Sequence, residues 1–170
     1  MRHPLLEAFR HHVWATLHLI DHLRGLDAAL LTAPGVPGTY GSPIDTIRHV
    51  LGSEAGYRFR LTATWPEWTW TRDGPATLDE LAASVHETAG FWDGYLAAGP
   101  DLDAPLPLMG PDEVRYQVPA GVVVNQVLCH ATDHRSQVCA VLTAAGVRPP
   151  VLDFWVYGKL SGRIIRAVDA

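Results

Sequence analysis

The chain has 170 residues, 48% of them hydrophobic and 9% aromatic, which is enough apolar mass for one packed core and too much for a disordered chain. Its formal charge is −5 and its 13 Lys and Arg are scattered, so it lacks the basic patch of a nucleic-acid-binding surface. No apolar run reaches the ~18 residues needed to span a bilayer, and the opening MRHPLLEAFRHHVW is too broken by His, Glu and Arg for a signal peptide; a soluble, cytoplasmic protein with a single domain over 1–170 is expected.

In chain order, Leu19, Leu23, Leu26 and Leu30 recur at three- and four-residue spacing and predict an amphipathic first helix over roughly 4–31, closed by the breaker run TAPGVPG. Ser42 then offers an N-cap, Pro43 a first-turn proline and Asp45 a first-turn carboxylate, opening a second helix to about Leu61. The aromatic loop WPEWTWTRDGP follows; its Trp65, Trp68 and Trp70 suit a pocket roof, a dimer contact or the core. Thr77 and Glu80 stand in capping-box positions and start a third helix that stops at Gly99-Pro100, after about Ala98. The stretch 100–119 is rich in Pro, Asp and Gly, with one alternating patch, EVRYQVP, able to form a short strand. A fourth helix over about 120–145 ends at Gly146, and a shorter one is expected over about 152–167. The reading is all-α: a four-helix bundle with a long crossing connection between the third and fourth helices and a C-terminal helical addition.

The fourth helix carries NQVLCHATDHRSQVCAVL, with two imidazoles in an apolar run. At about 100° per residue, Val123, Val127, His134, Val138 and Val141 fall within roughly 80° of His130, while Arg135 and Cys139 point away. Side chains at i and i+4 project together, so His130 and His134 can converge on one metal ion; the plainer reading of such a pair is a surface feature or a hydrogen-bonded core histidine. A third ligand is available in DTIRHVLGSEAGY, where His49 has small neighbours, Gly52, Ser53 and Gly56, that leave room beside the ring. His11, His18 and His22 form a rival set on the first helix, at the edge of its leucine stripe and expected to be partly exposed. His86 has no histidine four residues on, and His3 and His12 lack a structural argument. Asp133 and Gln137 flank the pair and suit either the orientation of an imidazole or a solvated helix flank. Arg135 is expected to pair with an acid on another helix. Cys129 and Cys139, about 15 Å apart along one helix, cannot bridge each other and read as packing residues.

Together, IRHVLGSEAGY, LCHATDHRSQV with its HxxxHR-x-Q pattern, and Trp14-Ala15 in the first helix resemble the DinB/YfiT-like superfamily of metal-binding four-helix bundles. The resemblance implies a divalent metal ion, usually zinc or nickel, held by His49, His130 and His134, in a bundle that often forms homodimers. Related branches include bacillithiol S-transferases and the mycothiol-dependent maleylpyruvate isomerase, which implies a small-molecule substrate and a low-molecular-weight thiol as a candidate cosubstrate. Three neutral imidazoles leave the ion's charge uncompensated and coordination positions open, the arrangement of a catalytic rather than a structural site. The expected activity is a metal-dependent thiol S-transferase, with a metal-dependent hydrolase or a non-catalytic, stress-related metal-binding module as the alternatives.

Overall fold

The structure is a computed structural model that describes residues 3–68, 70, 74–110 and 113–167. Four long helices dominate it: α1 (Leu6–Arg24), α3 (Pro43–Thr62), α4 (Leu78–Ala97) and α5 (Ala120–Ala144), with two short ones, α2 (Ala28–Leu31) and α6 (Phe154–Leu160). The expected first helix is thus broken after Arg24. Gly25 caps α1, and the Asp27 side chain accepts from the Ala29 amide to start a separate turn. Ser42 and Thr77 cap α3 and α4 as expected, the latter in a complete capping box with Glu80. The last helix is shorter than 152–167, because Ser161 closes it and Gly162 follows in a left-handed conformation at φ 70°.

Between α4 and α5 the chain forms a hairpin of two antiparallel strands, β1 (Pro105–Met109) and β2 (Arg115–Pro119), with Leu108 opposite Tyr116. β2 lies within the alternating patch; β1 was not expected, since the prolines of PLPLM argue against a strand. A two-stranded sheet is all edge, so Pro105 and Pro107 are tolerated where no further strand needs their missing N–H.

Cross-helix contacts give the directions. Arg24 meets Asp79 and Arg10 meets Asp93, so α1 and α4 are antiparallel. His49 and Tyr57 face His130 while Tyr40 meets Gln137, so α3 and α5 are antiparallel as well. Ile47 and Leu51 share one apolar cluster with Leu81 and Val85, while Tyr57 and Leu61 share the other with Trp92 and Leu96, so α3 and α4 run the same way.

Two apolar clusters fill the interior. One gathers Leu19, Leu23, Ile47, Leu51, Leu81, Val138 and Leu142; the other gathers Phe9, Trp92, Leu96, Val124 and Val127. Each large side chain fully buried there contributes about 1.5–3 kcal/mol of transfer free energy. Between them every long helix inserts polar groups: His12 and Thr16 from α1, Glu54 from α3, Thr88 from α4 and Arg135 from α5, all nearly inaccessible to water. Burial of such groups is costly unless they are hydrogen-bonded, and apart from the Thr88 hydroxyl they are linked to one another. Arg135 Nη1 donates to His12 Nδ1 at 3.0 Å and to Thr16 Oγ1 at 3.1 Å, His12 Nε2 lies 3.2 Å from Glu54, and the Trp92 indole donates to Glu54 at 2.5 Å.

Candidate metal centre

The antiparallel packing of α3 on α5 sets His49 against His130 and His134, all three half-buried. Ring centroids are 4.4 Å apart between His130 and His134, 4.7 Å between His49 and His134, and 5.0 Å between His49 and His130. One ligand nitrogen from each ring lies within 4.8 Å of the other two, and among the described residues this is the only group of three or more His, Cys, Asp or Glu side chains so placed. His49 Nε2 and His130 Nε2 are 3.2 Å apart. Two imidazoles sharing a tetrahedral ion at ~2.0–2.1 Å would place their nitrogens about 3.3 Å apart, so the donor set fits a small divalent cation.

Neighbouring groups fix how these rings are presented. Gln137 Oε1 accepts from the Tyr40 backbone N–H at 2.8 Å, which identifies it as the amide oxygen, and lies 3.0 Å from His134 Nδ1. An amide oxygen only accepts, so His134 carries its proton on Nδ1 and directs the Nε2 lone pair away from Gln137. The Tyr40 ring stacks on His49 at 3.9 Å and 20° and meets His134 edge-on at 5.6 Å. The Tyr57 ring meets His130 edge-on at 5.9 Å. Burial, reinforced by the neighbouring His134 and His49, pushes the His130 pKa down to about 4, so this ring is neutral at pH 7 with a lone pair to offer.

The rival histidines stand elsewhere. His11 Nε2 lies 2.7 Å from the Leu152 carbonyl oxygen, and His18 stacks on Trp14 at 5.0 Å; both are partly buried, as is His22. Asp133, Cys129 and His86 are exposed, and Cys139 packs against the core, with burial raising its thiol pKa. The direction expected for Arg135 needs correction. The buried stripe of α5 is centred on Val124, Val127, Ala131, Val138 and Leu142, so the two histidines sit on one shoulder of it and Arg135 on the other, 3% exposed. Its role is structural, but it reaches Glu54 through His12 and does not touch the acid directly. Burial pushes its pKa down to about 10, and the guanidinium stays charged at neutral pH. Sequence reasoning missed Tyr40, Tyr57 and the His12–Glu54 link. Tyr57 was accessible in principle, because it shares with Ser53 and Gly56 the face of α3 that bears His49.

The DinB family model matches residues 1–164. The chain belongs to the DinB family. No curated protein sequence matches it significantly. Among solved structures it is similar to a DinB-like protein from Bacillus cereus, with a TM-score of 0.67 at 15% identity over 86% of this chain and 94% of that one. At that identity the likeness concerns the fold, and this DinB-family chain shares the four-helix arrangement that sets α3 against α5. No helix among its described residues is long and apolar enough to cross a membrane.

Proposed function

We propose that His49, His130 and His134 hold a divalent metal ion, zinc or nickel, and that the protein uses it to transfer a low-molecular-weight thiol to an electrophilic small molecule. The observation that carries the metal reading is the convergence of one imidazole from α3 with an i, i+4 pair from α5. When bound, a divalent ion there supplies Lewis acidity, which acidifies a thiol or a water at neutral pH.

The chain's own residues do the rest. Gln137 holds His134 in the tautomer that presents Nε2, and its second hydrogen bond, from the Tyr40 amide, ties the loop before α3 to α5. The Tyr40 ring covers one face of His49 while remaining 54% exposed, so it shields the imidazole without sealing the site. The buried layer formed by His12, Glu54 and Arg135 lies on the core side of the same two helices and holds them at fixed separation. The thiol chemistry is supported by the resemblance to thiol-dependent branches of the superfamily.

The test is consumption of monochlorobimane by metal-loaded protein with bacillithiol, mycothiol, glutathione or coenzyme A as the thiol. Turnover that requires both metal and one of these thiols, and that is lost in His130→Ala, is the expected result. Turnover of an ester panel without thiol would replace the transferase reading by a hydrolase, and metal binding with no turnover in either panel would leave a binding module.

A further inference from the structure

Alongside α3 lies a cavity of about 420 Å³ with four aromatic rings in its lining, Tyr57, Trp65, Trp68 and Trp70. Gly52 and Gly56 line it from α3, so part of its floor is bare helix backbone. Trp68 and Trp70 stack on each other at 5.0 Å and 18°, and their indole N–H groups donate to Glu87 at 3.3 Å and to Ser84 at 2.8 Å, which fixes both rings. Trp65 stacks on Phe59 at 4.6 Å and 14° yet stays 57% exposed, a large apolar ring left in water at the cavity's edge.

One cation completes the lining. Arg60 Nη1 donates to the Gly56 carbonyl oxygen at 3.0 Å, and a Cβ at position 56 would lie 3.2 Å from that nitrogen, so a glycine there gives the guanidinium room to fold back over the helix. Arg10, Arg24, Arg48, Arg58 and Arg163 each face a carboxylate, whereas Arg60 has no acidic partner among the described residues. Two lining residues neighbour the imidazoles: Tyr57 meets His130 edge-on, and Ser53 is one helical turn beyond His49.

We infer that this cavity is the seat of a planar, ring-bearing organic anion, stacked on the tryptophans with its acidic group on Arg60. Flat rings stack on indoles over a large area with little orientational demand, and a guanidinium pairs with a carboxylate through charge-assisted hydrogen bonds. A volume of this size accommodates one or two fused rings. The seat itself rests on the cavity alone; its use as the place where a substrate waits beside the ion rests on the metal reading proposed above.

Isothermal titration of the metal-loaded protein with 2-naphthoate tests it, with 2-naphthamide as the uncharged analogue and cyclohexanecarboxylate as the non-planar one. 2-Naphthoate binds most tightly of the three. Trp65→Ala, a change at an exposed ring that leaves the circular dichroism intact, weakens 2-naphthoate about tenfold, the effect of one lost stacking contact. Arg60→Gln weakens 2-naphthoate by about the same factor through the lost charge-assisted bond and leaves 2-naphthamide unchanged. Protein stripped with a chelator keeps its 2-naphthoate affinity. Affinity that ignores both substitutions, or that disappears with the metal, overturns the proposal, because the carboxylate would then sit on the ion and not in the cavity; absence of binding at millimolar ligand overturns it as well. Metal content measured on the same samples scores the three-histidine reading separately.

Discussion

Glu54→Gln is the substitution that most sharply probes what holds α1, α3 and α5 in register. The carboxylate is 1% exposed and is bonded to His12 and to the Trp92 indole, while Arg135 donates to the other side of the His12 ring. A guanidinium can only donate, so Arg135 donates to His12 Nδ1 while His12 Nε2 faces Glu54, and the ring links a buried cation to a buried anion. The amide of Gln keeps the volume but removes the countercharge and turns an NH2 toward one of the two donors. A buried donor left unsatisfied costs ~1–3 kcal/mol, and breaking a buried ion pair costs ~3–5 kcal/mol. Because Arg135 feels Glu54 through an intervening ring, the lower end applies: a loss of about 3 kcal/mol, or a fall in Tm of roughly 6–12 °C at this chain length. Burial alone would raise the Glu54 pKa, but His12, the Trp92 indole and Arg58 outweigh it and hold the carboxyl below its ordinary value. Stability from the ionised form is therefore complete above the ordinary glutamate pKa of ~4.3 and is lost as pH falls through the folded-state value. Urea unfolding followed by tryptophan fluorescence should show a constant gap between wild type and Glu54→Gln from neutral pH down to about 5, closing below about 4.3. Combined with Arg135→Met, the two losses should fall short of additivity by at least ~1 kcal/mol. A Glu54→Gln loss under ~0.5 kcal/mol, or strict additivity, would refute the bridged-pair reasoning.

Gln137→Leu, which removes the acceptor for His134 Nδ1–H, should weaken metal binding about 10–100-fold in competition with a chromophoric chelator, with thermal stability nearly unchanged. Thr77→Ala opens the capping box of α4 and should cost about 1 kcal/mol in the same urea assay, with no effect on metal content. Self-association is expected from the family resemblance and from the apolar side chains around α6, where Trp155 is 73% and Leu160 66% exposed; light scattering should give twice the 18.6 kDa chain mass, and a monomer at micromolar concentration contradicts it.

The helix starts were legible because their caps are written in adjacent residues: Ser42-Pro43 and the Thr77/Glu80 pair each determine their first turn locally. The convergence of His49 with His130 and His134 was partly legible, since i, i+4 spacing fixes the pair on one helix, while the third ring depends on how α3 packs on α5. The position of Arg135 was misjudged because the wheel was centred on the valines nearest His130, and the stripe that packs is displaced toward Ala131. A charged residue there reads as surface unless its partner is known, and that partner, His12, lies 123 positions away. The strand PLPLM was hidden by its prolines, whose cost vanishes on a two-stranded edge. Tyr40 reaches His49 only through the path of the loop before α3, which no periodicity records.

Metal content by mass spectrometry of protein purified without a histidine tag tests the central claim most directly. About one zinc or nickel per chain is expected in the wild type and in His18→Ala, with the metal largely lost in His49→Ala, His130→Ala and His134→Ala. Loss of metal in His18→Ala and His22→Ala, with full retention in His49→Ala, would contradict the assignment and move the ligands to α1.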